Sequence, residues 1–328
     1  MKVALFGAGR IGKIHASNLT AIDGVELVYI HDPYAPNAEA LSAQTGAKIA
    51  GVEEIFADKS IDVVVIASST DTHSDLLLKA AAAKKHVFCE KPIDLSLEKA
   101  LLCEKAVKES GITCMLGFQR RFDPTFYAAK QRIEQGEIGT PEVLIITSRD
   151  PGAPPVEYLK VSGGIFRDML IHDFDICRWI LDDEVVSVFA QASCLVDSKI
   201  QSEAGDYDTT AVTLKTKSGR LCQINTTRRA PYGYDQRFEV MGAKGLLQCH
   251  NHKPTEVQYW GTANVSQDLP EHFFLERYRA AYRLEMEHFF DCVKNGKTPR
   301  TSISDGVQAQ KLADAATQSA KTGQVVLL

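Results

Sequence analysis

The chain has 328 residues, of which 45% are hydrophobic and 24% charged, with a formal net charge of −5 and a pI of about 6.0. That length holds two domains of ordinary size, and the composition is that of a globular protein rather than a disordered or fibrous one. The mild acidity excludes a general attraction to nucleic acid or anionic membrane, and no apolar run approaches the ~20 residues of a membrane span.

The start, Met1-Lys2, leads directly into an apolar strand, Val3–Phe6, with no secretory pattern. Alternating strands and helices follow at the spacing of βαβ units. Helix patterns cover Ile11–Ala21, Pro36–Gln44, His73–Ala83 and Ser96–Ser110, with Ser96 as the cap of the last. Between them lie strands at Val25–Ile30, Ala47–Ala50, Asp62–Ala67, His86–Cys89 and Ile112–Leu116. From Glu142 the pattern changes to longer, alternating strands: 143–149, 185–196, 208–215, 220–226, 236–242, 246–250 and 256–260. These predict a mostly antiparallel sheet, followed by helices over 276–294 and 304–322. The expected fold is therefore α/β, a doubly wound Rossmann domain over 1–120 and an α+β domain over 121–328. The final helix packs back on the first domain in this reading.

Eight cysteines, Cys89, Cys103, Cys114, Cys177, Cys194, Cys222, Cys249 and Cys292, are scattered through apolar segments without a Cys-x-x-Cys pair. They read as buried thiols of a reducing compartment, which places the protein in the cytoplasm.

Gly7-Ala8-Gly9-Arg10-Ile11-Gly12 follows a strand and opens a helix. This is the context in which Gly7 makes the tight turn, Gly9 admits a pyrophosphate and Gly12 packs helix on strand. The helix N-terminus, including Arg10 and Ile11, offers N–H groups and a positive dipole end to phosphates. Asp32, 20 residues beyond Gly12, ends the second strand and can accept both ribose hydroxyls of NAD. Its charge disfavours NADP, which stays the alternative because His31 and its neighbours shape the same pocket. Ser68, Ser69 and His73 follow the strongest strand and could contact the cofactor, or cap a helix together with Thr70 and Asp71.

Glu90-Lys91-Pro92 closes another strand at the carboxyl edge of the sheet, where open α/β folds bind ligands. Proline pushes Lys91 out of the helical region, so its ammonium stands beside the nucleotide. A solvated lysine in a surface turn is the alternative. In Gly163–Asp173, helical spacing from Asp168 puts Asp168 and His172 on one face, as a general base and its orienting group. A cap and a core histidine are the other reading. Asp173 and Asp175 are expected to meet solvent or cap the turn. His250-Asn251-His252 is the only close histidine pair and reads as a loop, so no metal site is expected.

Together, the nucleotide loop, Glu90-Lys91-Pro92, Gly117–Pro124 and Asp168–Asp173 resemble, in order, the family of glucose-fructose oxidoreductase and inositol dehydrogenase. Ser148–Pro155 and Arg229–Asp235 resemble its myo-inositol 2-dehydrogenase branch most closely. The resemblance implies Lys91, Asp168 and His172 as the catalytic set of an NAD-dependent oxidoreductase. His172 would take a ring-hydroxyl proton, Asp168 would orient it, Lys91 would stabilise the reacting oxygen, and hydride would pass to the nicotinamide. Arg120, Asp150, Tyr232 and Tyr234 are candidates to bind the polyol. A structural salt bridge for Arg120 and sheet packing for the tyrosines are the alternatives. The resemblance further implies a homodimer or homotetramer formed through the second sheet. Rival functions are dehydrogenation of another cyclic polyol or an aldose, and a non-catalytic nucleotide-binding sensor.

Overall fold

The structure is a computed structural model describing residues Met1–Leu328. The chain forms two compact units, the first comprising Met1–Phe122 and Ala280–Gln310, the second Asp123–Arg279 and Lys311–Leu328. The division is thus discontinuous rather than a single break near residue 120.

In the first unit, strands β1 (Lys2–Phe6), β2 (Glu26–His31), β3 (Lys48–Ile49), β4 (Val63–Ile66), β5 (His86–Glu90) and β6 (Cys114–Gly117) pair in parallel. Their order is β3-β2-β1-β4-β5-β6, that of dinucleotide-binding domains, with the direction of winding reversing between β1 and β4. Val3–Phe6 and Val63–Ile66 are fully buried, which is why they are continuous apolar runs rather than alternating ones. Helices α1 (Arg10–Ala21), α2 (Ala35–Thr45), α3 (Val52–Ala57), α4 (His73–Ala82) and α5 (Leu97–Ser110) connect the strands. The Ser96 hydroxyl caps α5 by accepting from Lys99 N–H at 3.4 Å.

The second unit opens with α6 (Pro124–Glu134), for which the sequence reading had no element. Its start signal is nonetheless present: Asp123 accepts the Thr125 and Phe126 N–H groups at 3.1 Å each, and Pro124 fills the first helical turn. Strands β7 (Pro141–Arg149), β8 (Val185–Ser193), β9 (Thr209–Thr216), β10 (Leu221–Thr227), β11 (Asp235–Gly242) and β12 (Gly245–Cys249) follow. A short hairpin, β13 (Gln258–Trp260) with β14 (Val265–Gln267), stands apart, and β15 (Val326–Leu327) ends the chain. The seven-stranded order is β12-β11-β7-β10-β9-β8-β15, antiparallel except for the β7–β10 pair. Inserted helices are α7 (Val156–Leu159), α8 (Ile165–Asp168), α9 (Ile171–Leu181) and α10 (Ser198–Ala204). The last are α11 (Phe274–Arg277), α12 (Arg279–Asn295) and α13 (Ile303–Thr322).

One face of this sheet (Leu144, Ile146, Val212, Leu214, Ile224, Val240) packs on Phe126, Phe174, Ile180 and Leu312. The opposite face alternates exposed Thr213, Lys215, Gln223 and Gln248 with the apolar Leu221, Met241 and Leu246. That alternation follows from a period of two with one covered face. No helix is long and apolar enough to cross a membrane.

Candidate active site

The nucleotide loop is built by close approaches that only glycine allows. Gly7 has φ +98°, and a Cβ there would lie 2.3 Å from the Ala67 carbonyl oxygen. A Cβ on Gly12 would lie 2.0 Å from the Gly7 carbonyl oxygen, so the third glycine seats the first turn of α1 on the loop itself. A Cβ on Gly9, by contrast, would meet nothing within 4 Å. That position faces open space, as a loop that admits a pyrophosphate must. Gly9 is also the cap residue of α1 and supplies no side-chain partner to the first turn. The loop therefore fits a dinucleotide. We expect Gly12→Ala to weaken NAD binding by about tenfold or more, the factor that a 1.4 kcal/mol misfit produces. Titration calorimetry on the folded variant measures it.

Asp32, just past β2, accepts the Ala8 N–H through Oδ2 at 2.7 Å and the Tyr34 N–H through Oδ1 at 2.8 Å. One carboxylate thus ties the glycine loop to the end of the second strand. After β4, the Ser68 and Thr72 hydroxyls lie 2.6 Å apart, and the Ser69 carbonyl accepts the Thr72 hydroxyl at 2.8 Å. His73 is 1% exposed. Its ring nitrogens lie 2.8 Å from the Pro92 carbonyl and 3.1 Å from the Ser68 carbonyl. The ring brackets the loop after β4 to the segment carrying Lys91. Lys91 directly follows β5, and the Lys91–Pro92 peptide bond is cis. Gly7, Asp32, Ser68 and Lys91 all stand at the carboxyl ends of parallel strands, hence on one edge of one sheet. A cavity of about 760 Å³ lined by Met1, Asp62, Lys85 and His86 lies at the opposite, amino edge.

Glu90 points inward rather than along that edge. Its Oε1 lies 2.7 Å from Nε2 of the fully buried His15.

In the second unit, Gly163 and Gly164 both have φ +85° and lead into α8. The expected continuous helix from Asp168 to His172 does not form. Asp168 ends α8, the helix breaks at Met169-Leu170, and His172 is the second residue of α9. The break arises at Leu170, whose N–H reaches back five residues to the Ile165 carbonyl at 3.0 Å, beside the regular four-residue bond of Met169 to the same oxygen. Asp173 and Asp175 also depart from expectation, at 0% and 1% exposed. Asp173 accepts from Gln236 of β11 at 3.2 Å, and Gln236 in turn accepts from the Ser148 hydroxyl at 2.9 Å. α9 is buried at every residue except Arg178 and Trp179, which the charged pattern of 173–178 concealed.

Asp168 is held on both oxygens. Oδ1 accepts the Tyr158 hydroxyl at 2.8 Å, and Oδ2 pairs with Arg228 at 3.2 Å. Arg228 is 1% exposed and also approaches Asp206, at 3.9 Å. Tyr158 is half-exposed as a residue. Its partial burial and the Asp168 charge push the hydroxyl well upward, so it stays a donor. Asp206 accepts the Ile165 N–H at 2.9 Å, and burial raises its carboxyl. Tyr158, Asp206 and Arg228 were missed by the sequence reading. Arg228 sits beside the segment 229–235 that was singled out, but nothing in its own spacing distinguishes it from a surface arginine.

Of the polyol-binding candidates, Arg120 is 3% exposed in a turn after β6. Its neighbour Arg121 pairs with Asp305 at 3.0 Å. Asp150 continues β7, joined to Thr227 and Ala230 through backbone hydrogen bonds. Tyr232 accepts from Arg149 at 2.9 Å and donates to Asp235 at 2.7 Å. Tyr234 is buried and packs edge-on against Tyr278 at 5.9 Å.

The whole chain is similar to proteins of one family. Residues 1–118 match the model of an oxidoreductase family, NAD-binding Rossmann fold, and residues 130–328 match its C-terminal alpha/beta domain. An inositol 2-dehydrogenase of Rhizobium meliloti is 45% identical over 97% of this chain and 96% of its own length. The crystal structure of a myo-inositol dehydrogenase from Corynebacterium glutamicum superposes with a TM-score of 0.95 at 42% identity, covering 100% of this chain and 98% of the other. A scyllo-inositol dehydrogenase from Lactobacillus casei, solved with NAD(H) and scyllo-inositol, gives 0.93 at 27% identity over 100% and 98%.

Proposed function

We propose, because the chain belongs to the oxidoreductase family that joins an NAD-binding Rossmann domain to a C-terminal α/β domain, that it oxidises a ring hydroxyl of myo-inositol to the ketone. The observation that carries this reading is Lys91, standing on the same sheet edge as the glycine loop and Asp32. NAD, when bound, would supply the hydride acceptor for the carbinol hydrogen. Gly7, Gly9, Gly12 and the start of α1 would hold its pyrophosphate, and Asp32 would hold its ribose. Lys91 donates to the substrate oxygen and stabilises the charge that grows as the proton leaves. His172 takes that proton, and Asp168, fixed by Tyr158 and Arg228, sets the orientation of the histidine. Arg120, Asp150, Tyr232 and Tyr234 read the remaining hydroxyls.

A second reading, oxidation of scyllo-inositol, draws support from the NAD(H)-bound relative named for that isomer. Lys91, Asp168 and His172 address one carbinol and do not discriminate between the two. Self-association through the exposed face of the second sheet and a cytoplasmic location belong to the same proposal. Mixing the protein with NAD and myo-inositol should generate the absorbance of reduced nicotinamide. A panel of scyllo-inositol, glucose and other polyols, run with NAD and NADP side by side, ranks the substrates. Silence with every polyol despite measurable NAD binding would assign the chain to the sensors instead.

A further inference from the structure

The first unit contains a buried group of three titratable side chains that the reaction above does not use. Glu90 ends β5 and is joined by a peptide bond to Lys91. Its carboxylate faces His15 of α1, with Nε2 at 2.7 Å. Room for it comes from Gly117, the register partner of Glu90 on β6. A Cβ on Gly117 would lie 2.8–3.0 Å from the Glu90 carboxyl atoms. Glu285 of α12 brings a third side chain, and an oxygen from each glutamate and a nitrogen of His15 lie within 4.8 Å of one another. Glu285 is 0% exposed, and neither of its oxygens receives a hydrogen bond from any donor.

A carboxylate is strongly disfavoured as an anion in such a place, since it is fully buried, no protein donor reaches it and a second carboxyl stands beside it. As a carboxylic acid it becomes a donor, and an oxygen of the Glu90 carboxylate lies within 4.8 Å of it. Burial, and next the charge of Glu90, raise Glu285 well above the ordinary carboxylate range. The walls are aromatic: His15 stands edge-on to Phe88 at 5.0 Å and to Tyr282 at 6.0 Å, and Phe88 meets Phe289 at 5.8 Å. The other titratable groups around the pair are His15 from α1, Cys89 and Lys91 from the β5 segment, Cys114 from β6 and Tyr282 from α12. A shared metal ion is a poor fit. Ligand atoms around one ion at about 2.0–2.2 Å stand about 3 Å or more apart, whereas His15 and Glu90 are at hydrogen-bond distance.

We propose that His15, Glu90 and Glu285 form a positioning cluster for Lys91, in which Glu285 is a protonated carboxyl that donates to Glu90 while His15 holds the same carboxylate from the other side. Glu90 is thereby locked as the single anion at the strand end, and the backbone that carries Lys91 is fixed. The inference rests on Lys91 being the cation of the reaction.

Glu285→Leu should lower kcat by about 10- to 100-fold, the scale on which a misplaced catalytic group costs rate. NAD affinity should stay unchanged, and the pH profile of kcat should shift. Glu285→Gln keeps a donor of the same shape and should restore kcat. Infrared difference spectra of the wild type should show a protonated carboxyl band persisting to alkaline pH and absent from Glu285→Gln, a readout that does not require the leucine variant to fold. Wild-type kcat and pH profile in Glu285→Leu would overturn the proposal. So would a folded Glu285→Gln no faster than the leucine variant, a missing carboxyl band, or one equivalent of metal in the purified protein. If Lys91→Ala keeps full turnover, the assignment of Lys91 itself falls. If Lys91→Ala is inactive while both Glu285 variants are silent, only the positioning cluster falls.

Discussion

Lys91→Ala is expected to reduce kcat by about 10²–10³, the loss that follows removal of one preorganised stabiliser of a developing oxyanion. The lysine follows β5, whose four-residue ladder with β4 runs up to Ile66 and Cys89. Its backbone is therefore set by the sheet, by the His73 bracket on Pro92 and by the contacts of its neighbour Glu90, not by the ammonium. Truncation should leave the fold and NAD affinity nearly intact, so the loss should fall on kcat rather than on cofactor binding. Lys91→Arg should not rescue it, because a planar guanidinium presents its donors differently from a compact ammonium. Steady-state kinetics with myo-inositol, paired with calorimetric titration of NAD, separates the two effects. Near-normal turnover in Lys91→Ala would remove the lysine from the mechanism.

The second large effect is expected at Arg228. Its guanidinium is 1% exposed and stands between Asp168 at 3.2 Å and Asp206 at 3.9 Å. Arg228→Leu leaves two sheltered carboxylates without their cation. Breaking a buried pair from one side costs about 3–5 kcal/mol. The variant should therefore lose stability by about that amount in urea, and should also lose turnover because Asp168 loses its Arg228 anchor. Adding Asp206→Asn to Arg228→Leu should recover part of the stability, since it removes one of the stranded charges. The pH dependence has a definite sign. Burial raises the Asp206 carboxyl in the fold, so the native state holds that proton more tightly than the unfolded chain. The contribution is full below the unfolded value of about 3.9 and is lost as pH rises through the folded value. The deficit of Arg228→Leu should accordingly be largest at neutral pH and shrink on acidification. A deficit independent of pH would mean that lost packing, not stranded charge, is the cause.

The legible parts of this protein are those whose physics is local. The run Val63–Ile66 and the three glycines of 7–12 can be read from the chain because full burial on both faces demands continuous apolar residues, and tight turns demand missing Cβ atoms. The family resemblance rested on the same kind of short, rigid segment. What escaped was set by neighbours distant in sequence. The helix Pro124–Glu134 carried its Asp-Pro start signal, but the expected change of pattern began only at Glu142. Asp173 and Asp175 look like solvent-facing carboxylates until α9 is laid on β7 and β11, where Gln236 supplies a partner. The Asp168–His172 spacing suggested one helix, whereas the Leu170 N–H bonds five residues back to the Ile165 carbonyl and interrupts it.

The amino-acid sequence alone determined the dinucleotide loop, the acidic end of the second strand and the lysine closing the fifth, because each is a short segment whose backbone conformation is dictated by its own residues. Only the tertiary structure decided what holds the Asp168 carboxylate and what stands behind the lysine. Arg228 is 60 residues from Asp168 in the chain, and Glu285 is nearly 200 from Glu90. A buried charge needs a partner wherever the fold can bring one, and no local pattern records which distant residue that is.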